Sequence, residues 1–210
     1  MNKLNVSNAT PDDLYEWCMK EYNSQNPISK ILIKCFYNKL GKAIDPIKPN
    51  ISKILEIGCG GGESSIRLMK LFGDIKYDAT EYDPRYIEVI KKRKLPINIS
   101  NEDVYNIKRP DCSYDCVIML EVLEHLEYIE KALTELFRVS NKYIIISVPN
   151  EPIWSFGNFL RGKYLLHLGN TPGHINHFNK KKLLKYLNPY VTNIKFYFSF
   201  PWIILIAEKK

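Results

Sequence analysis

No apolar run in the chain approaches the ~20 residues needed to span a bilayer. The longest apolar stretches, Tyr143–Pro149 and Trp202–Ala207, are strand length. The opening residues Met1–Thr10 lack the apolar core of a secretory signal, so a cytoplasmic location is expected. Cysteine is sparse, with five in 210 residues: Cys18, Cys35, Cys59, Cys112 and Cys116. Their odd number and scatter speak against a disulfide framework. Cys112 and Cys116 have no second Cys or His pair at zinc-ligand spacing. Reduced, mostly buried thiols are expected, and no metal set is recognisable. Repeats and low-complexity linkers are also missing. A single domain over residues 1–210 is therefore expected, long enough to bury a full core.

The formal net charge is +7, which raises a nucleic-acid partner. The lysines are spread along the whole chain, however. They cluster only at Lys91–Lys94 and Lys180–Lys182, both on expected helices, where a solvated face is the ordinary reading. A small-molecule partner is favoured, and the oligomeric state is not indicated.

Pro11, Asp12 and Asp13 mark a helix start running to about Tyr22. Pro27 opens a second helix in which Ile28, Ile31, Leu32, Cys35, Phe36 and Leu40 recur at helical spacing, with Gly41 at or near its end. From Ile51 strands and helices alternate. Strands are expected at Lys53–Ile57, Lys76–Glu81, Ile97–Ser100, Tyr114–Leu120 and Tyr143–Val148. Helices are expected at Glu63–Phe72, Pro84 to about Lys94, and Ile129–Val139. This alternation implies a parallel sheet covered on both faces. After Pro149 the rhythm breaks into an irregular segment, Asn150–Asn179, with a short helix near Ile153–Leu160. Lys180–Leu187 then reads as helix. Val191–Ser199 and Trp202–Glu208 read as closing strands split by Pro201.

Four signals fall at the carboxyl ends of these strands, where open α/β sheets bind ligands. The first is Glu56-Ile57-Gly58-Cys59-Gly60-Gly61-Gly62, a turn that lets a ligand lie against bare backbone. A nicotinamide fingerprint would need glycine where Glu63 stands. The carboxylates of Glu56 and Glu63 suit a cationic ligand better than a pyrophosphate. The second is Glu81, placed to accept both hydroxyls of a ribose, beside Tyr82. The third is Asp103-Val104, where a side-chain carboxylate and a backbone N–H could hold an adenine; an ordinary Asp turn is the competing reading. The fourth is Glu121-Val122-Leu123-Glu124-His125. Its Glu121 could face an ammonium or sulfonium, and Glu124 and His125 would stand at the cleft mouth.

These signals, in this order, resemble the class I S-adenosylmethionine (SAM)-dependent methyltransferases. The likeness is close over about Ile51–Pro149 and is nearest the small-molecule branch that includes ubiquinone-biosynthesis O-methyltransferases. It implies a single-domain, Rossmann-like α/β fold with a seven-stranded, mostly parallel sheet in the order 3-2-1-4-5-7-6. Helices would cover both faces, with residues 1–50 as an N-terminal helical cap, 51–149 as the SAM-binding core, 150–179 as a substrate-side insertion and 180–210 as the closing helix and strands. It implies SAM as cofactor, held by Glu56, Gly58, Cys59, Gly60, Gly62, Glu81, Tyr82, Asp103, Val104 and Glu121. The Asn/Asp-Pro-Pro-aromatic run of exocyclic-amine methyltransferases is replaced here by Leu120-Glu121-Val122-Leu123. The expected reaction is methyl transfer to an oxygen, nitrogen or carbon of a small metabolite. RNA or protein methylation, or a non-catalytic SAM-binding subunit, are the alternatives.

Such a reaction needs in-line positioning and, for many acceptors, a base. His125, His174 and His177 are the candidates. The last two lie in Gly173-His174-Ile175-Asn176-His177-Phe178, with Asn150, Glu151, Pro152 and Asn158 in the same segment. Those groups could instead pin the loop. Tyr22, Asn26, Phe36 and Tyr37 of the cap are candidate substrate contacts.

Overall fold

A computed structural model of the chain describes residues 8–22, 26–151 and 174–210. The expected helix near Ile153–Leu160, together with Pro152, Asn158 and Gly173, lies outside the described residues, as does the side chain of Tyr22. The strands are β1 (Lys53–Ile57), β2 (Lys76–Glu81), β3 (Asn98–Asn101), β4 (Tyr114–Leu120), β5 (Ser140–Pro149), β6 (Val191–Ser199) and β7 (Trp202–Lys209). The helices are α1 (Pro11–Tyr22), α2 (Pro27–Ile44), α3 (Glu63–Phe72), α4 (Pro84–Lys92), α5 (Ile129–Val139) and α6 (Lys180–Leu187).

One sheet of seven strands runs β3-β2-β1-β4-β5-β7-β6. The first five are parallel, and β7 pairs antiparallel with both β5 and β6. The order and the mostly parallel pairing match the expectation drawn from the resemblance. From β1 the chain builds outward to β2 and β3, then returns to place β4 on the other side. That reversal opens a crevice at the carboxyl ends of β1 and β4.

The central strands are apolar on both faces because helices cover both. On one side Leu55, Val117, Met119, Ile144 and Ile146 pack under Leu133, Leu136 and Phe137 of α5 and Leu183 and Leu187 of α6. On the other, Ile54, Cys116, Ile118 and Ile145 pack under Phe36, Leu40 and Ile44 of α2 and Leu68 and Phe72 of α3. Each fully buried aliphatic side chain contributes about 1.5–3 kcal/mol. Leu14 of α1 is buried against Val89 of α4, and the Arg85 guanidinium donates to the Ala9 carbonyl at 2.8 Å. These contacts hold the first helix beside the crevice.

Gly41 lies in the last turn of α2, near its end as expected, and the helix continues to bury Ala43 and Ile44. A Cβ at Gly41 would sit 3.1 Å from Leu71 of α3, so glycine serves close helix packing there. One local expectation is corrected: the thiols are not mostly buried. Cys59 and Cys116 are, Cys18 is half-buried, and Cys35 and Cys112 are exposed, because the last two lie on the outer side of α2 and in the loop before β4.

Candidate active site

A cavity of about 480 Å³ opens at the carboxyl ends of β1 and β4. Gly58, Cys59, Gly60 and Gly61 form its floor. Gly60 has φ +52, and a Cβ there would meet no atom within 4 Å, so its bare backbone faces open space. Gly61 answers a different need: a Cβ would fall 2.8 Å from the Cys18 sulfur. α1 therefore closes against the turn only because residue 61 is glycine. Gly62 is buried and heads α3 with φ +84. The Cys59 thiol is pushed well above its usual range by burial, which makes it a poor nucleophile.

Glu56 is 1% exposed and does not line the cavity. Its carboxylate accepts the Ser65 hydroxyl and the Tyr77 phenol, the latter at 2.7 Å. Burial raises its pKa. The argument for a cationic ligand from two carboxylates beside the turn is therefore corrected: Glu56 braces β1, β2 and α3 from behind. Glu63 does line the cavity, but it ion-pairs with Arg67 at 2.9 Å and with Arg93 at 3.4 Å. Both arginines line the same space, an arrangement that suits a zwitterion, with guanidinium and carboxylate both presented.

Glu81 stands at the end of β2. One oxygen accepts the Gly60 N–H at 2.8 Å and the other the Asp83 N–H at 3.0 Å. Each carboxylate oxygen has a second lone pair, so the rotamer is held while acceptor capacity remains for a diol. Tyr82 beside it is 71% exposed. Asp103 accepts the Tyr105 N–H at 2.9 Å and pairs with Asn106. That is an Asp turn; Oδ2 has no hydrogen bond among the described residues. Val104 is half-buried against the core.

Glu121 has φ +56, a left-handed backbone that turns its side chain back over the end of β4 into the cavity wall. Its carboxyl accepts the Ser147 hydroxyl at 2.6 Å. Burial raises its pKa, and the Ser147 and Trp202 side chains oppose that rise. Three residues on, Glu124 is 1% exposed and its Oε2 has no partner among the described residues. Burial, and then the charge of Glu121, push its pKa up.

The three candidate bases separate. None lines the cavity itself. The His125 and His174 rings meet edge-to-face at 4.9 Å, next to Glu124. Burial and the neighbouring His125 hold His174 down to about 4, so it is neutral near pH 7. His177 instead stands with Nδ1 3.6 Å from Glu151. The loop is pinned elsewhere: the Ile175 and Asn176 N–H groups donate to the Glu124 carbonyl at 3.1 and 3.0 Å, and the Asn176 amide donates to the Leu126 carbonyl at 2.6 Å. Asn176 is thus the structural member of that run. One ligand atom from each of Glu124, His125 and His174 falls within 4.8 Å of the others. A carboxylate and two imidazoles so disposed could hold a divalent transition metal, a grouping not recognised in the sequence because His174 is far along the chain.

From the cap, Phe36 and Tyr37 line the cavity, whereas Asn26 caps α2 through Ile28 and Ser29. Sequence reasoning missed Trp17, Arg67, Tyr86, Arg93 and Trp202, all of which line it. Arg93 sat within the Lys91–Lys94 cluster read as a solvated face. Lys91 and Lys92 are exposed, but the Arg93 side chain is only 7% exposed and turns inward to the Gly61 carbonyl.

The family model described as a methyltransferase domain matches residues 54–142. A probable S-adenosylmethionine-dependent methyltransferase of Mycolicibacterium smegmatis is 28% identical over 108 residues, covering 50% of this chain and 40% of that protein. The match thus spans about two fifths of that relative's length. Two solved structures share the fold. A SAM-dependent methyltransferase from Thermotoga maritima, described as a possible histamine N-methyltransferase, superposes with TM-score 0.67 at 18% identity, over 94% of this chain and 99% of that one. Magnesium protoporphyrin IX methyltransferase from Synechocystis, with bound S-adenosylhomocysteine, gives 0.65 at 15% identity over 90% of each chain. Residues 54–142 thus match a methyltransferase domain, and the chain shares its fold with SAM-dependent methyltransferases.

Proposed function

We propose that this chain uses its SAM-dependent methyltransferase core to methylate a small, largely apolar metabolite at oxygen, nitrogen or carbon. The observation that carries this reading is the cavity. Its volume falls in the ~300–1,000 Å³ range of small-ligand sites. Above the glycine floor its walls are Trp17, Ile33, Phe36, Tyr37, Leu120 and Trp202, which favour a compact apolar acceptor over a polyanion.

Bound there, the cofactor supplies a methyl group on a sulfonium, whose departure leaves a neutral thioether. The chain's own tasks are to hold and orient. Glu81 would take the ribose diol, Asp103 the adenine amine, Glu63 with Arg67 and Arg93 the amino-acid end, and Glu121 the charge near the reacting carbon. A proton released by the acceptor would pass to a base on this chain. Of the three histidines, none of which lines the cavity, His174 is the proposed base by its place against His125 and Glu124.

A second reading of the rim rests on the Glu124 Oε2, without a partner among the described residues, beside two imidazoles. A divalent cation held there would lower the pKa of a coordinated acceptor hydroxyl. Both readings are tested with labelled SAM in a small-molecule extract, with and without chelator. A labelled low-mass product supports the first, and its loss with chelator and return with zinc or manganese supports the second. Label found only in an RNA or protein fraction overturns the small-molecule reading.

A further inference from the structure

The outward side of α2 has a composition that the folded core does not explain. Ile28 and Ile31 are 59% and 60% exposed, and Cys35 is exposed with them. Their spacing of three and four puts them on one stripe of the helix. The stripe runs into a shallow groove where Cys35, Lys39 and Lys42 face Phe198 and Phe200. Those phenylalanines, at and just beyond the end of β6, are 52% and 62% exposed. Large apolar side chains left in water as a contiguous patch mark a contact surface.

Charge identifies the contact. α2 carries Lys30, Lys34, Lys39 and Lys42, and β6 carries Lys195, all exposed. Neither element contains an Asp or Glu. A helix with apolar groups on its outer side and lysines around them is the pattern that lies in the interface of an anionic bilayer. The competing occupants fit less well. In a two-fold dimer the same patch meets itself, which would set lysines against lysines. A nucleic acid would neutralise the lysines but leave the isoleucines and phenylalanines uncovered.

We propose that this face, α2 with the end of β6, seats the protein on an anionic membrane surface. Ile28, Ile31, Phe198 and Phe200 enter the headgroup layer, and the lysines meet lipid phosphates. No helix among the described residues is long and apolar enough to cross a membrane, so the contact is peripheral. Ile33, Phe36 and Tyr37, which line the cavity, lie on the opposite side of the same helix. Membrane binding does not depend on the methyl-transfer reading above.

Vesicle flotation tests it without any activity measurement. Vesicles of equal phosphatidylglycerol and phosphatidylcholine should bind the protein, and pure phosphatidylcholine should not. Binding should weaken as salt is raised. Lys39→Glu with Lys42→Glu should weaken it at least ~10-fold, since each lysine near such a surface contributes about 1 kcal/mol. Ile28→Ser with Ile31→Ser should do the same at low salt, through lost apolar burial. Both double variants should melt like the parent. Equal binding to both vesicle types, binding unchanged in the variants, or a concentration-dependent dimer abolished by Ile31→Ser with no vesicle binding would each overturn the proposal.

Discussion

The Glu81 carboxylate accepts the Gly60 N–H at 2.8 Å, so the tip of β2 and the glycine turn after β1 are joined before any ligand arrives. Glu81→Ala removes that tie along with the acceptors proposed for the ribose. It should weaken SAM and S-adenosylhomocysteine by about 1.5–3 kcal/mol, the range for hydrogen bonds to a charged group. Calorimetry reads the affinity and circular dichroism checks the fold. Unchanged affinity would place the ribose elsewhere.

Asp103→Ala should weaken SAM and S-adenosylhomocysteine to the same degree, because both carry the adenine. Paired titrations with the two ligands decide it. A loss confined to SAM would mean that the carboxylate acts on the sulfonium rather than the base.

Of the histidines, His174 should matter most for turnover. His174→Ala should cut it by ~10²-fold or more, the range for a lost general base, while SAM affinity stays near the parent's. His177→Ala should cost far less, because His177 faces Glu151 rather than His125. Single-turnover rates on the identified acceptor rank the two. Equal loss in both would point to loop anchoring.

Two buried groups should pull stability in opposite directions with pH. Glu124 has a raised pKa. Its contribution is complete below the ordinary carboxylate range and is lost as pH climbs toward the folded value. His174 has a lowered pKa, about 4 against 6.5. Its contribution is complete above pH 6.5 and is lost as pH falls toward 4. Glu124→Gln should therefore melt close to the parent near pH 4.5 and above it near pH 8, as read by thermal scans at each pH. A fixed difference at both would show that Glu124 does not titrate in this interval.

Much of the fold was legible because periodicity and burial coincide. β1, β4, α3, α5 and α6 begin and end where the sequence pattern places them. β5 runs longer than expected, Ser140–Pro149, because its start and its end pair with β4 and β7, outside the apolar stretch Tyr143–Val148. The places of Glu81 and Glu121 at the ends of β2 and β4 were legible because the strand bounds were. Arg93 and Trp17 were not: their place at the cavity depends on how α4 and α1 dock, which local spacing does not encode. Glu56 misled for a similar reason. The sequence shows a carboxylate next to the glycines but not the buried Ser65 and Tyr77 that claim it.

The last strand of the sheet is not its edge. β7 lies between β5 and β6, and its register runs to Lys209. During synthesis β5 therefore has a bonding partner on one side only until nearly all of these residues have left the ribosome. Through that interval a nascent chain holds an open parallel half-sheet with β5 as a temporary edge, the kind of backbone that recruits stray strands. The sheet is thus completed in one step, when β6 and β7 add together beside β5.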